Sequence, residues 1–249
     1  MIRLRTDGPI ARLLLDRALK RNAMTTAMFE ALPGLVAEAV ADPAVRVIVL
    51  QSNRAGIFCA GADIAEMSSH ANDPAWRQAN EAAISRAQFE LARAEKPVIA
   101  LIDGDCVGGG CGLALACDIR VATARARFGI TPAKLGLVYP LHDTKLLVDL
   151  IGPGQAKRML FTAGLLDAAE ALRIGLIDLL ADDADELIDA IVTNSAHSTR
   201  WSKAMIRRIL DGQAHDDEAT RAIFTQAFTG PDFTEGVAAF LGKRPARFE

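Results

Sequence analysis

Three adjacent glycines, Gly108, Gly109 and Gly110, stand where a predicted strand runs into a predicted helix. Without a Cβ atom, glycine lets a backbone approach a ligand closely, and the first amides of a helix lack an intrahelical acceptor. Such N–H groups can stabilise negative charge that develops on a carbonyl oxygen. The stretch is therefore a candidate oxyanion-binding site. Tight packing between helix and strand is the alternative that the glycines leave open.

Two other segments have residue types that could contact a ligand. The loop before the first predicted helix carries Arg17, Lys20 and Arg21, which either bind phosphate groups or simply face solvent. A second run, Ala60-Gly61-Ala62, is small enough for its backbone to approach a ligand closely. These segments alone do not decide between binding and a structural role.

Composition excludes several classes of function. The 249 residues are 51% apolar and 24% charged, as expected of a globular protein, and the net charge of −3 argues against a nucleic-acid partner. The four cysteines form no Cys-x-x-Cys pair, which argues against a zinc site and for buried thiols in a reducing compartment. No run reaches membrane-spanning length, and the first residues lack a signal-peptide core, so we expect a cytoplasmic protein.

The elements that must position these residues can be predicted from patterning. Residues 2–6 and 9–15 flank Asp7-Gly8 and predict a hairpin. Thr25 is a plausible N-cap for an amphipathic helix, and residues 45–50 form a buried-strand pattern. The strand over 9–15, this helix and the strand over 45–50 therefore fit a right-handed crossover. We expect Asp63 to cap a helix, residues 68–79 to be flexible, and residues 76–94 to be helical before the apolar strand 98–102.

The second half of the chain is mostly helical in pattern. Helices are predicted over 141–151 and 155–162, with Gly152-Pro153-Gly154 between them, and Asp167 is expected to cap a third. Further helices are predicted over 185–195, 201–210, 218–228 and 234–241. A composition shift near residue 182 suggests a core over residues 1–182 and a helical region over 183–249.

Several motifs taken together resemble one known family. They are LDRALKRNAM, FCAGADIAEM, IDGDCVGGGCGLALACDIRVAT, DAAEALRIGLID and FTEGVAAFLGKRPARF. In this order and over the whole chain they are similar to the motifs of the crotonase family, the enoyl-CoA hydratase/isomerase superfamily. A dinucleotide-binding interpretation of the glycines fails, because no Gly-x-Gly-x-x-Gly spacing is present.

The resemblance implies a fold, a ligand and an assembly. The fold would be α/β, a crotonase-like ββα spiral with a helical C-terminal oligomerisation region that makes homo-trimers or dimers of trimers. The ligand would be an acyl-CoA thioester, with coenzyme A as part of the substrate and no separate cofactor or metal. We expect neither nucleic-acid nor membrane partners.

The resemblance also implies roles for particular residues. Two backbone amides, those of Ala60 and Gly109, would hold the thioester oxygen while an enolate forms. The remaining positions would contact coenzyme A. Arg17 and Arg21 would lie near its phosphates, and Phe240 and Lys243 would reach the coenzyme A of a neighbouring subunit. Its adenine would be surrounded by backbone near Arg21, Ala23, Ala62, Asp63 and Ile64. For Phe240, packing in the core is an equal alternative.

Two departures from the family pattern bear on the chemistry. A hydratase of this family uses two carboxylates, and this chain has Gly112 and Pro132 at those positions. Losing one positioned acid–base group typically costs about 100- to 10,000-fold in rate. Efficient hydration is therefore not expected, and isomerisation would need a substitute such as Asp143 or Asp105. Capping or surface exposure is the alternative for Asp143, and shaping a turn is the alternative for Asp105.

The segment FGITPAKLGLVYP resembles the methylmalonyl-CoA decarboxylase branch of the same family. Thr131 and Tyr139 fall on that branch's threonine and active-site tyrosine, although Ala62 and Gly112 depart from its histidine and carboxylate. Decarboxylation of a malonyl-type thioester leaves an enolate, and an apolar, glycine-lined pocket without a protein carboxylate would suit it. A weak hydratase or isomerase, a carbon–carbon lyase and a silent acyl-CoA binder stay open as alternatives.

Overall fold

The computed structural model describes residues 1–248, which form ten strands and ten α-helices. The strands are β1 Ile2–Asp7, β2 Ile10–Leu15, β3 Val47–Ser52, β4 Ile57–Cys59, β5 Val98–Ile102, β6 Asp105–Val107, β7 Ile119–Ala122, β8 Arg127–Gly129, β9 Leu166–Asp167 and β10 Leu179–Leu180. The helices are α1 Thr26–Ala41, α2 Ile64–Ser69, α3 Pro74–Arg93, α4 Gly109–Ala116, α5 Leu141–Thr162, α6 Ala168–Arg173, α7 Asp185–Thr193, α8 Ala196–Leu210, α9 Glu218–Ala227 and α10 Pro231–Leu241. Two turns of 3-10 helix, Ala18–Lys20 and Pro132–Leu135, complete these elements.

The larger sheet has the strand order β1-β2-β3-β5-β7-β10. The predicted hairpin is confirmed, because β1 and β2 are antiparallel and Ile2 pairs with Leu15. Every other neighbouring pair in this sheet is parallel. Strands β2 and β3 are therefore the two parallel strands of a crossover, with α1 between them.

A smaller sheet has the order β4-β6-β8-β9. Along the chain, β3, β5 and β7 enter the larger sheet, and each is followed by a strand of the smaller sheet. A helical segment then leads to the next pass. This repetition is the ββα spiral that the family resemblance implies, so the predicted α/β fold class is confirmed.

The core lies around the parallel strands and the helices that pack on them. Residues 47–50 of β3 are fully buried, as expected for a parallel strand that is covered on both faces. Phe29, Leu32 and Val36 form the buried stripe of α1. The predicted N-cap of α1 is present, since Thr25 Oγ1 accepts a hydrogen bond from the Met28 amide at 3.3 Å.

The predicted flexible segment at residues 68–79 is wrong. Helix α2 continues to Ser69, and α3 already begins at Pro74. Two aspartates fix these starts: Asp63 accepts from the Ala65 amide at 2.9 Å, and Asp73 accepts from the Ala75 amide at 3.0 Å. A proline in the first turn needs no N–H donor, so the Asp73-Pro74 pair is a helix start despite its polar surroundings.

Helix α5 contains the predicted interruption. Its backbone leaves helical geometry at Gly152, where φ is 74° and ψ is 164°, so the two predicted helices meet at a kink. Asp167 caps α6 as expected by accepting from the Glu170 amide at 2.8 Å. Two later helices begin before their predicted starts, α8 at Ala196 and α10 at Pro231.

The chain divides into two compact units. The first comprises Met1–Ala94 and Val98–Ala184 and contains both sheets. The second comprises Glu95–Pro97 and the chain from Asp185 onward, with α7 to α10. The predicted region 183–249 ends at Glu249, which lies outside the described residues, and its role in oligomerisation stays a prediction.

Aromatic side chains cluster within the second unit. The rings of Phe224 and Phe228 are 5.3 Å apart, and those of Phe228 and Phe233 are 5.2 Å apart, both in edge-to-face arrangements. Phe240 is 83% exposed, so the alternative that it packs in the core is wrong. Within residues 1–248, no helix is long and apolar enough to cross a bilayer.

Candidate active site

The glycine-rich segment begins helix α4. Gly108 has a φ of 54°, a conformation that L side chains rarely adopt. A Cβ atom on Gly110 would lie 2.6 Å from the Cys59 carbonyl oxygen, so this glycine serves the tight packing that was the alternative explanation. Gly109 is the first residue of α4, and within residues 1–248 its N–H has no acceptor. The stretch thus combines close packing with a free amide.

A second free amide lies beside Gly109. Ala62 forms a parallel β-bridge with Met24, and the residues on either side of Ala62 make its two hydrogen bonds. The Met24 amide donates to the Gly61 carbonyl, and the Asp63 amide donates to the Met24 carbonyl, both at 2.8 Å. In such a parallel bridge, the N–H of Ala62 itself points away from Met24. Its nitrogen lies 3.4 Å from the position of a Cβ atom on Gly109. The amides of Ala62 and Gly109 therefore lie close together.

The amide of Ala60 is not available for a ligand. It donates to the Arg21 carbonyl at 3.0 Å, and this bond holds the loop before α1 against the segment that follows β4. The structure therefore argues against the predicted role of Ala60 as an oxyanion donor. The small-residue run does supply a donor, but at Ala62, two residues later.

The loop before α1 is shaped by an asparagine whose importance the sequence did not reveal. Asn22 is fully buried, and both it and Arg21 have left-handed backbone conformations. Its side chain donates to Ser52 Oγ and to the Phe58 carbonyl, each at 2.9 Å, and accepts from the Arg17 amide at 2.8 Å. The available signal was its residue type, because asparagine tolerates positive φ better than most residues.

The predicted phosphate ligand Arg17 forms contacts within this loop. Its Nη1 lies 2.7 Å from Asp63 Oδ2 and 2.8 Å from the Ala23 carbonyl. The hydrogen bond from Arg17 lowers the pKa of Asp63, which also caps α2. The Arg17–Asp63 pair therefore ties the loop to the segment that carries Ala62. Contact with coenzyme A at Arg17, Ala23, Asp63 or Ile64 stays a prediction.

Two aspartates after β5 are held in surface ion pairs. Asp105 pairs with both Arg21 and Arg127, and Asp103 pairs with Arg125. Hydrogen bonding from Arg125 lowers the pKa of Asp103 to about 2. Because two guanidinium groups engage Asp105, it is a poor candidate for the substitute catalytic carboxylate. The Arg21 side chain is 60% exposed and remains accessible to an anionic ligand.

A carboxyl group occupies the space beside Gly112. A Cβ atom on Gly112 would lie 2.5 Å from Asp143 Oδ1 and 3.3 Å from the Tyr139 hydroxyl, and it would also collide with Gln88. Asp143 is only 3% exposed, so its assignment as a surface group is wrong. Asp143 therefore brings a protein carboxyl group from α5 to the space beside Gly112.

A short hydrogen-bonded chain positions this carboxyl group. Gln88 on α3 donates through Nε2 to Asp143 Oδ1 at 2.5 Å, and its Oε1 is 2.9 Å from His142 Nδ1. Burial raises the pKa of Asp143, and the hydrogen bond from Gln88 opposes that shift. Sequence reasoning missed Gln88. Its signal is a polar residue on the buried face of α3, next to Ala87 and near Leu91.

Tyr139 belongs to the same cluster. Its hydroxyl is 3.4 Å from the Gly108 carbonyl and interacts with Asp143, and burial is the main cause of its raised pKa. Thr131, the other predicted hydroxyl, immediately precedes the second 3-10 turn, and its side chain makes no hydrogen bond within residues 1–248. Catalytic roles for Tyr139 and Thr131 stay predictions.

The four cysteines are buried free thiols, as predicted. The sulfur atoms of Cys106 and Cys111 are 3.8 Å apart, and Cys111 donates to the Cys106 carbonyl at 2.8 Å. Burial raises the pKa of Cys59 to about 12. A protonated, buried thiol is a poor nucleophile, so we interpret Cys59 as a packing residue.

Two neighbouring free amides and a buried carboxyl group around one glycine-rich helix define a class of site. It can hold a carbonyl oxygen as it becomes negative while a nearby group moves a proton. A family model described as Enoyl-CoA hydratase/isomerase matches residues 5–249. The chain belongs to the enoyl-CoA hydratase/isomerase family.

Known proteins of this family are similar over almost the whole chain. A crotonyl-CoA hydratase from Syntrophomonas wolfei is 34% identical, over 98% of this chain and 96% of its own length. A short-chain-enoyl-CoA hydratase from Clostridium acetobutylicum is 33% identical, over 97% of this chain and 94% of its own length. The crystal structure of an enoyl-CoA hydratase/isomerase family protein from Hyphomonas neptunium has a TM-score of 0.96 and 42% identity, and the match covers 100% of this chain and 97% of that one.

Proposed function

We propose that this protein binds an acyl thioester of coenzyme A and stabilises its enolate with the amides of Ala62 and Gly109. The observation that carries the proposal is that two free N–H groups lie side by side: the Ala62 nitrogen is 3.4 Å from the position that a Cβ atom on Gly109 would occupy. Donors that are fixed before the reaction stabilise developing charge without having to reorganise.

Coenzyme A would lie along the loop that carries these amides. Arg21 is exposed and could contact a phosphate, whereas Arg17 would act by holding the loop through Asp63. Backbone at Ala23 and at residues 62–64 would then surround the adenine, as the family resemblance implies. Ile64 supports this placement, because it is apolar and 49% exposed at the start of α2.

The reaction is expected to differ from that of the hydratases among the relatives. Neither Gly112 nor Pro132 can accept or donate a proton through a side chain. Asp143 provides one carboxyl group next to Gly112, but hydration in this family requires two. The function proposed is therefore an enolate-forming reaction that needs at most one protein carboxylate.

Decarboxylation of a malonyl-type thioester is a second candidate. The contact of the Tyr139 hydroxyl with Gly108 and Asp143 favours it, because a hydroxyl here could orient a substrate carboxylate or protonate the enolate. Asp143 counts against it when ionised, because two carboxylates repel each other at short range. When protonated, Asp143 could instead donate a hydrogen bond to the substrate.

The test is a mass-spectrometric assay of the pure protein in heavy water with butyryl-CoA, crotonyl-CoA and methylmalonyl-CoA. Deuterium gain at the α-carbon of butyryl-CoA would support enolate formation, and loss of carbon dioxide from methylmalonyl-CoA would support decarboxylation. Rapid hydration of crotonyl-CoA would contradict the non-hydratase assignment. Binding of all three without any change would leave a silent acyl-CoA binder.

Two variants separate the roles of the backbone and the hydroxyl. Ala62→Pro removes the proposed N–H donor, and we expect exchange to fall about 100- to 1,000-fold, as when one oxyanion donor is lost. Tyr139→Phe should lower decarboxylation while coenzyme A binding persists, if the hydroxyl acts on the substrate. Unchanged turnover in Tyr139→Phe would remove Tyr139 from the mechanism.

We also propose that the helical second unit associates with copies of itself, as the family resemblance implies. Its last helices carry large exposed apolar side chains: Phe224, Phe228, Phe240 and Leu241. Phe228 contacts both Phe224 and Phe233, so these three exposed rings form one apolar patch, and an exposed apolar patch is typical of an interaction site. Light scattering should give the mass of a trimer or hexamer, and a monomer at high protein concentration would contradict the proposal.

A further inference from the structure

We propose that Asp143 is the acid–base residue of this site. Its carboxyl group takes the place of the carboxylate that the family pattern has at position 112, where this chain has a glycine in α4. The proposal rests on the proposed enolate function and adds to it the group that moves the proton. It predicts a reaction type as well: transfer of a proton between two carbons of an enoyl thioester.

The first argument is spatial. Gly112 lies three residues after Gly109, so both face the same side of α4, where the free amide of Gly109 begins the helix. A Cβ atom at Gly112 would lie 2.5 Å from Asp143 Oδ1, which places the carboxyl oxygen where a side chain from Gly112 would start. A carboxyl group therefore stands one helical turn from the proposed oxyanion donor, although it comes from a different helix.

The second argument is the state of the carboxyl group. Gln88 donates to Asp143 Oδ1 through an N–H group, and this hydrogen bond favours the ionised, proton-accepting form of the carboxyl group. His142 Nδ1 contacts Oε1 of Gln88 and so fixes the orientation of the Gln88 side-chain amide. Burial acts in the opposite direction and favours the protonated form. A positioned carboxyl group of this kind can act as base and then as acid within one reaction cycle.

A helix-capping role is the structural alternative. Asp143 lies in the first turn of α5, where a carboxylate is favourable because of the helix dipole. Asp73 and Asp167, which cap α3 and α6, are exposed, whereas Asp143 is 3% exposed and contacts Gln88 and Tyr139. The packing of two polar side chains around a glycine is not needed for capping.

The proposed step balances within the protein and the substrate. The Asp143 carboxylate removes a proton from the α-carbon of a 3-enoyl thioester, and the electron pair of that C–H bond moves into a dienolate whose oxygen is held by Ala62 and Gly109. The carboxylic acid then returns the proton to the γ-carbon, which gives the conjugated 2-enoyl thioester. One carboxyl group suffices, and no water is added.

The experiment compares wild type with Asp143→Asn on two probes: α-proton exchange of butyryl-CoA in heavy water, and conversion of 3-hexenoyl-CoA to its conjugated isomer by ultraviolet absorbance. We expect Asp143→Asn to lose activity on both by about 100-fold or more, the usual cost of a positioned acid–base group. Asp149→Asn, an exposed aspartate on the same helix, is the matched control and should retain activity.

A relocation variant distinguishes chemistry from structure. Asp143→Gly combined with Gln88→Ala frees the space beside α4, because both side chains lie within 2.5 Å of a Cβ position on Gly112. Gly112→Glu in that background should restore part of the lost rate by supplying a carboxyl group from the other helix. A purely structural Asp143 would not be rescued in this way. Binding of coenzyme A, measured calorimetrically for every variant, confirms that each one folds.

The pH profile gives a second readout. The titratable groups that face Asp143 are His142 and Tyr139, with Cys111 next to Tyr139. Activity should fall as the pH is lowered through the raised pKa of Asp143, and this limb should persist in His142→Gln. An Asp143→Asn variant as active as wild type would overturn the role of Asp143 alone, while failure of wild type to exchange any α-proton would overturn the enolate function as well.

Discussion

Replacing Gly112 with alanine tests the geometry on which the site depends. The new methyl group would lie 2.5 Å from Asp143 Oδ1 and would also collide with Gln88, whose amide is fixed by His142. Overpacking typically costs about 1–3 kcal/mol, and losing a hydrogen bond to a charged group costs about 1.5–3 kcal/mol. Alanine returns about 1 kcal/mol in helix propensity. We therefore expect the free energy of unfolding to fall by roughly 2–4 kcal/mol.

A matched control is available in α1. Gly34 is also inside a helix, but no atom lies within 4 Å of the position of a Cβ atom there. Gly34→Ala should therefore stabilise the protein by about 0.5–1 kcal/mol. Both variants would be compared with wild type by urea unfolding, monitored by circular dichroism at one fixed protein concentration, because the proposed self-association would make apparent stability depend on concentration.

The two variants should change stability in opposite directions. If Gly112→Ala were as stable as Gly34→Ala, the space beside Gly112 would not be filled by Asp143 and Gln88, and the proposed acid–base role would lose its geometric basis. If Gly112→Ala were destabilised but kept full activity on 3-hexenoyl-CoA, the packing would be correct and the catalytic role of Asp143 would be wrong.

Three further predictions follow from burial and charge. Because folding raises the pKa of Asp143, its favourable contribution to stability is present at acid pH and is lost as the pH rises. Asp143→Asn should therefore match or exceed wild-type stability in urea at neutral pH while losing activity. A clearly less stable variant would contradict this. The pKa of Asp103 is lowered to about 2, so its contribution to stability is present above its ordinary pKa of 3.8 and is lost as the pH falls toward 2. Asp103→Asn should therefore reduce the acid dependence of unfolding over that range. An unchanged pH profile of stability would refute this prediction. The thiol of Cys59, whose pKa is raised to about 12, should resist iodoacetamide at pH 8 until urea unfolds the protein, and rapid native labelling seen by mass spectrometry would be inconsistent with its burial.

Local patterning was sufficient to predict most of the fold. The Asp7-Gly8 turn predicts the hairpin, and the apolar run at 98–102 predicts the buried strand β5, because both signals lie within a few residues of the structure they determine. The polar composition of residues 68–79 predicts flexibility, but the capping aspartates Asp63 and Asp73 start two helices that cover most of this segment. Asp73 before Pro74 is a helix-start signal of the kind that Asp63 already provided for α2.

The candidate site was harder to predict because its groups come from distant parts of the chain. Gln88 and Asp143 are 55 residues apart, and no local pattern places one against the other. The same limit explains the misassigned donor at Ala60, whose amide is engaged by a carbonyl 39 residues earlier. In the sequence, the glycine at position 112 indicates the loss of a catalytic carboxylate, whereas its structural effect is to leave room for the side chains of Asp143 and Gln88.

The hydrogen bonds between residues 21–24 and residues 60–63 have a dynamic consequence. The amides of Ala60, Met24 and Asp63 donate across the two segments in a row, so the segments can separate only if these bonds open together. The three amides should then exchange with solvent deuterium at one common rate, as a single cooperative opening unit. Since Ala62 lies inside this unit, each opening would remove its amide from Gly109. An acyl thioester held by Ala62 would bind only the closed form and would slow exchange at all three positions at once.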